Sequence, residues 1–228
     1  MRTLVSMGTW GLVSFSFFSG ITAVIQAAQD GFFGRWWGSR LLAALPQRFL
    51  AIPGSALGVF LGGYTGVLLT ATSIPLWSRS KVLGAIFISS AISTSSALIS
   101  LVLRLARTPT QVLHKLERLE WVALLVEMAG LFAFLRGTGR AARPLVGTGP
   151  TEHGRTFWSF VAGTGLILPW LLQTLSLSAG RSAKRVSRRG VVISLLVLMG
   201  GYFLRRTMIE AGHNSSADAR TTLWNAKG

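Results

Sequence analysis

The sequence predicts an all-α protein, a polytopic transmembrane helical bundle of about six spans. Two observations set its solvent. Half of the 228 residues are hydrophobic and only 13% are charged, against roughly 25% charged in an average soluble domain. A third sets the architecture: apolar runs that can cross a hydrocarbon core of about 30 Å, which takes roughly 20 helical residues, fall at about 4–28, 50–73, 82–103, 119–136, 157–178 and 190–205, the last of them short.

The first run follows Arg2 and ends on Ala27 and Ala28, as a secretory leader would. It is about twice as long as a leader's apolar core and holds Trp10 and several phenylalanines, so it reads as a retained helix. Residues 29–49 contain DGFFGRWWGSR, in which aromatics alternate with arginines as they do among lipid headgroups. In the second run Gly54, Gly58, Gly62 and Gly66 recur at i+4 and form a groove that lets another helix approach. The short loop SRSK at 78–81 makes runs two and three antiparallel neighbours. Ser89, Ser93, Ser96 and Ser100 share one face of run three and are predicted to pack on that groove.

Glu117 and Arg118 stand at the mouth of the fourth run, Glu120 falls in its first turn and Glu127 about two turns inside. Glu117 and Arg118 read as an interfacial pair. Segments 137–156 and 206–228 are rich in Gly, Arg, Ser and Asn and are predicted to be irregular. Residues 1–205 therefore form one transmembrane domain and 206–228 a polar tail, with no internal repeat.

A net charge of +16 suggests nucleic acid in a soluble protein. Here the basic residues lie between the apolar runs or beyond the last, so the expected partner is the bilayer, not nucleic acid. Lys and Arg divide almost evenly between the two sides. The cluster Arg181, Lys184, Arg185, Arg188 and Arg189 places the loop between runs five and six in the cytoplasm, and alternation then puts both termini outside. The absence of cysteine excludes thiolate metal sites and iron-sulfur ligation within the chain. His114, His153 and His213 fall in loops or at a span edge, so no haem ligand is expected inside a span and no metal site is predicted. Phosphate-loop, HExxH and GxSxG motifs are missing, which leaves no sign of hydrolytic chemistry and no catalytic residue to name.

Two groups of polar residues fall at hydrocarbon depth. Tyr64 and Thr65 interrupt the glycine-rich run, and a tyrosine hydroxyl there needs a partner, since leaving it bare costs a few kcal/mol. Either another helix or a bound carbonyl supplies it. Glu120 and Glu127 are seven apart and share a helix face. A carboxylate at that depth is either a structural glutamate tied to an arginine or a proton-transfer group.

GGYTGVLLTATSIPLW at 62–77, SRSKVLGAIFISSAISTSSAL at 78–98, LERLEWVALLVE at 116–127 and FWSFVAGTGLILPW at 157–170 occur in this order. Together they resemble the polysulfide reductase/NrfD family of membrane subunits, and SMGTWGL at 6–12 is similar to the start of an internal helix of that family. The resemblance runs over most of residues 5–178. It implies an inner-membrane subunit that exchanges electrons between the quinone pool, menaquinone or ubiquinone, and an iron-sulfur partner serving a molybdopterin or cytochrome catalytic subunit. The membrane chain of such a complex holds no haem or cluster itself.

The resemblance also implies site residues. Tyr64 is similar in placement to a quinone-site tyrosine, with Thr65 a second candidate, while Glu120 and Glu127 are candidates for proton transfer. Trp77 and Pro75 would shape the pocket mouth unless Trp77 is an interface anchor. Members usually have about eight spans, and this chain resembles one that begins at the third, which leaves the quinone site short of the polar residues two further helices would add. Two other functions are consistent with the residues: an assembly anchor that touches no quinone, and a small-solute transporter, although the paired broken helices of transporters are not seen.

Overall fold

The computed structural model describes residues 2–32, 34, 38, 41, 44–78, 80, 82–106, 110–147, 153–178 and 188–217, with no strand among them. Arg35, Trp36, Trp37 and Arg40 of the expected interfacial segment lie outside the described residues, as do Arg181, Lys184 and Arg185 of the basic cluster. The helices are α1 (Arg2–Gln29), α2 (Gln47–Thr70), α3 (Pro75–Ser78), α4 (Leu83–Leu105), α5 (Thr110–Thr138) and α6 (Arg143–Val146). The next, α7, joins Gly154–Thr156, a π-helical stretch Phe157–Ile167 and Leu168–Ser178, and α8 is Arg188–Ala217. The chain forms two compact units, Met1–Thr65 and Gly66–Gly228.

Five helices among the described residues, α1, α2, α4, α7 and α8, are long and apolar enough to cross a membrane, against about six expected. The protein is a multi-pass membrane protein. The difference lies in α5, which at 29 residues has the length but carries Lys115, Glu117, Arg118 and Glu120 in its first turns. The segment from 206 differs more. It continues α8 as far as Ala217, and Thr207, Met208, Ala211 and Ser215 are buried at helical spacing. Residues 218–228 lie outside the described residues.

In the N-terminal unit, α1 ends where Gly31 takes φ +79°. The Phe32 amide returns to the Ala27 carbonyl at 2.9 Å and the Gly31 amide to Ala28 at 3.2 Å, which closes the last turn. The two helices pack antiparallel by exchanging rings for glycines. A Cβ on Gly8 would stand 2.2 Å from Tyr64 Cε1, and one on Gly11 2.8 Å from Phe60 Cε1. In the opposite sense Phe15 sits 3.3 Å and Phe18 3.6 Å from the Cβ positions of Gly58 and Gly54. Half of the predicted glycine groove thus serves α1.

The C-terminal unit is built on α4, α5, α7 and α8. Antiparallel α4 and α5 pack along their length, and α8 packs on both α7 and α4. Gly66, at the end of α2, meets the backbone of Gly84, 2.7 Å from its Cβ position. The closest crossing joins α7 to α8, where a Cβ on Gly200 would lie 2.3 Å from Gly165 Cα. Only two facing glycines permit that approach. Leu83, Ile86, Leu124, Phe134, Phe157 and Met208 fill the core between these helices.

Candidate functional site

Tyr64 lies on the α1 side of α2, half-buried, with its ring over Gly8 and 5.5 Å from that of Phe60. Thr65 is exposed. Adjacent helical residues point about 100° apart, so Thr65 does not share the Tyr64 face. A groove of about 400 Å³ runs between α1 and α2, with Phe15, Phe18, Gly54 and Gly58 along its apolar part and Thr22, Gln26 and Gln47 at its polar end. There Gln47 Nε2 donates to Gln26 Oε1 at 3.0 Å. Tyr64 lies about 9 Å along the helix from Gly58, outside this groove.

The carboxylates belong to the C-terminal unit. Glu127 is 2% exposed, and Ser93 Oγ donates to its Oε2 at 3.0 Å from α4. Ser90 Oγ points to the same carboxylate without a bond of good geometry. The serine face of α4, predicted to meet the glycines of α2, therefore turns towards α5. A buried carboxylate supplies the reason, since it must be given donors in hydrocarbon.

Two turns towards the N-terminus of α5, about 10 Å away, Glu120 is 1% exposed and shares its face with Glu127. Beside it Arg104 Nη2 pairs with Glu117 Oε1, and His114 Nδ1 stands 3.3 Å from Glu117 Oε2. The predicted Glu117–Arg118 pair is replaced by this one. Gln173 Nε2 donates to the Glu117 carbonyl at 2.9 Å. The guanidinium needs Gly190 beneath it, where a Cβ would come within 2.2 Å of Nη1.

Four buried polar atoms around this cluster have no hydrogen-bond partner: Ser100 Oγ, Arg104 Nε, Glu120 Oε1 and Gln173 Oε1. Buried polar atoms left open in one place are where internal water is found. With Glu120 and Glu127 on one face of α5 and Ser93, Ser100 and Arg104 on the facing side of α4, the arrangement is a polar seam through an apolar unit. The quinone candidates and the carboxylates fall in different units.

Trp77 shapes no pocket mouth and anchors no interface. It is 5% exposed in the core, and its Nε1 donates to the Met208 carbonyl at 3.1 Å. Its ring occupies the space above Gly212, 2.1 Å from the Cβ position, and meets His213 edge-on. Nothing is described of the Pro75 side chain. Among residues the sequence reading passed over, Arg104 matters most. Its signal was present, because it extends the stripe Ser89, Ser93, Ser96, Ser100 by one further turn.

The family described as polysulphide reductase, NrfD, matches residues 3–217. Protein NrfD of Escherichia coli (strain K12) is 30% identical over 151 residues, 62% of this chain and 48% of that protein. The chain thus spans about half the length of the curated relative it matches. No solved structure matches it significantly.

Proposed function

From the premise that the chain belongs to the polysulphide reductase, NrfD family, we propose that it is the quinone-interacting subunit of a respiratory oxidoreductase complex in a bacterial inner membrane. It passes electrons between the quinone pool and an iron-sulfur partner, which serves a molybdopterin or cytochrome catalytic subunit. The family match over residues 3–217 carries this reading.

The residues of the chain fit such a ligand. Tyr64 holds a phenol at the depth of the apolar helices, on a ring fixed by Gly8 and Phe60. A phenol O–H suits a quinone carbonyl, because it donates without carrying charge into hydrocarbon. Thr65, exposed on the neighbouring face, is the weaker donor. When bound, the quinone supplies two-electron chemistry, and each reduction or oxidation must move two protons. Glu127 accepts or releases a proton at Oε2 against Ser93 Oγ, and Glu120 holds or releases a proton beside the polar atoms of Ser100, Arg104 and Gln173.

One observation favours an anchoring role without quinone: the Tyr64 ring fills the space over Gly8, so packing alone gives it a purpose. The test is purification of the native complex in gentle detergent, with bound quinone and co-purifying subunits identified, for the wild type and for Tyr64→Phe. Loss of quinone and of quinone-coupled turnover in a fully assembled Tyr64→Phe complex is the expected result. Unchanged turnover in that variant leaves the anchor as the reading of Tyr64.

A further inference from the structure

Arg205 is a long cationic side chain of α8 that stands near the middle of its neighbours' spans and forms no close ion pair among the described residues. Its depth follows from its neighbours. A Cβ on Gly201 would lie 2.3 Å from Thr94 Cγ2, and Thr94 is the midpoint of α4. Gly200 crosses Gly165, near the middle of the span Gly154–Leu177. Arg205 is one turn further along α8, about 6 Å from that level, and its Nη1 turns back to donate to the Gly201 carbonyl at 3.1 Å. The guanidinium therefore points towards mid-membrane and does not reach outward to the headgroups, as a long basic side chain near a span end does.

Its neighbour behaves in the opposite way. Arg206 reaches outward and pairs with Glu210 at 2.8 Å, whereas no ion pair of the described residues includes Arg205. Arg205 lines a cavity of about 400 Å³ with Thr94, Leu198, Tyr202, Arg206 and Ile209. Tyr202 is 59% and Ile209 47% exposed, so the cavity opens on the outer face of α8. Arg205 also acts electrostatically on the Glu127 carboxylate.

We propose that this cavity binds the carbonyl-bearing ring of a membrane quinone, with Arg205 donating to a carbonyl oxygen and Leu198 and Ile209 packing on the ring. This rests on the reading that the chain meets a quinone, and it adds a position distinct from Tyr64. Three observations select the occupant. The ligand must enter from hydrocarbon, which requires an apolar molecule. It must bring an acceptor oxygen to an arginine at mid-membrane depth, where phospholipid phosphates do not reach. It must fit a single cavity in which Leu198 and Ile209 supply the aliphatic surface and Tyr202 an aromatic one, beside Thr94 and Arg206, which suits a ring. The cavity and the polar seam adjoin on α4, where Thr94 lines the one and its neighbour Ser93 holds Glu127 in the other.

The test uses the native complex in its membrane, labelled with a photoactivatable azidonaphthoquinone, with the labelled peptides identified by mass spectrometry. The expected result is label on residues 198–209 that falls at least about tenfold in Arg205→Leu, the loss of a charged hydrogen bond, and stays in Tyr64→Phe. Leu198→Trp fills the cavity without touching the charge and is expected to remove the same label, which keeps the proposal open to test should Arg205→Leu fail to assemble. Label confined to the peptide of Tyr64 overturns this site and leaves the proposed function standing. No specific label anywhere overturns both. Undiminished label at 198–209 in Leu198→Trp, or loss of bound phospholipid phosphorus in Arg205→Leu with quinone content unchanged, overturns the site and assigns Arg205 to an anionic lipid.

Discussion

Ser93 on α4 donates its hydroxyl to Glu127 on α5 across 3.0 Å, and both side chains are buried. The bond joins two helices and puts a carboxylate, with a donor supplied, near the centre of the C-terminal unit. Glu127→Gln keeps the shape and an acceptor oxygen for Ser93. It is expected to leave assembly intact and to lower quinone-coupled electron flow by about tenfold or more, the ordinary scale for loss of a proton-transfer group. Stopped-flow reduction of the complex by a soluble quinol checks this. An unchanged rate assigns Glu127 to structure alone.

Arg104 sits among Glu117, Glu120 and Gly190, 5% exposed. Arg104→Met leaves the half-buried Glu117 without its guanidinium, and because removing one partner of a fully buried pair costs about 3–5 kcal/mol, the cost here is expected at or below the low end of that range. The variant is expected to unfold at a markedly lower temperature in detergent. Arg104→Met with Glu117→Gln together should recover much of the loss, because no unpaired charge then remains from the pair.

The α7–α8 crossing rests on Gly165 and Gly200, which leave no room for a methyl group. Gly200→Ala places a Cβ 2.3 Å from Gly165 Cα, so the helices must separate, at an expected cost of about 2 kcal/mol or more. Thermal unfolding followed by intrinsic tryptophan fluorescence reads it. Gly20→Ala, which would add its methyl to open space within α1, is the control and should cause no loss of stability.

Trp77 is a core residue, so Trp77→Phe should act on stability and not on redox function. It removes the donor to the Met208 carbonyl, worth about 1 kcal/mol. Unfolding temperature is expected to fall while quinone content per complex stays constant. Loss of quinone with no loss of stability would return Trp77 to the pocket mouth.

The long helices were legible because each spans a run of apolar residues, a signal that needs no tertiary information. The end of α8 was not. Arg206, Glu210, His213 and Asn214 make 206–217 read as polar, yet Thr207, Met208, Ala211 and Ser215 form a buried face that helical periodicity could have revealed. Trp77 is a harder case, since its partner Met208 is 131 residues away and nothing local distinguishes it from an interface tryptophan. At the candidate site, Glu120 and Glu127 stood out because carboxylates are rare in the chain. The direction of the serine stripe did not, because four serines fit a glycine groove and a buried carboxylate equally well. Only the placement of α5 against α4 decides between them.

The central claim is that this chain meets a quinone through Tyr64, and the most direct test is quinol oxidation by membranes carrying the assembled Tyr64→Phe complex. The account predicts that the iron-sulfur partner still co-purifies while quinol-driven reduction falls by about tenfold or more, as when a hydrogen bond to a reacting group is lost. A Tyr64→Phe complex that oxidises quinol at the wild-type rate would contradict it and reduce Tyr64 to the ring that packs over Gly8.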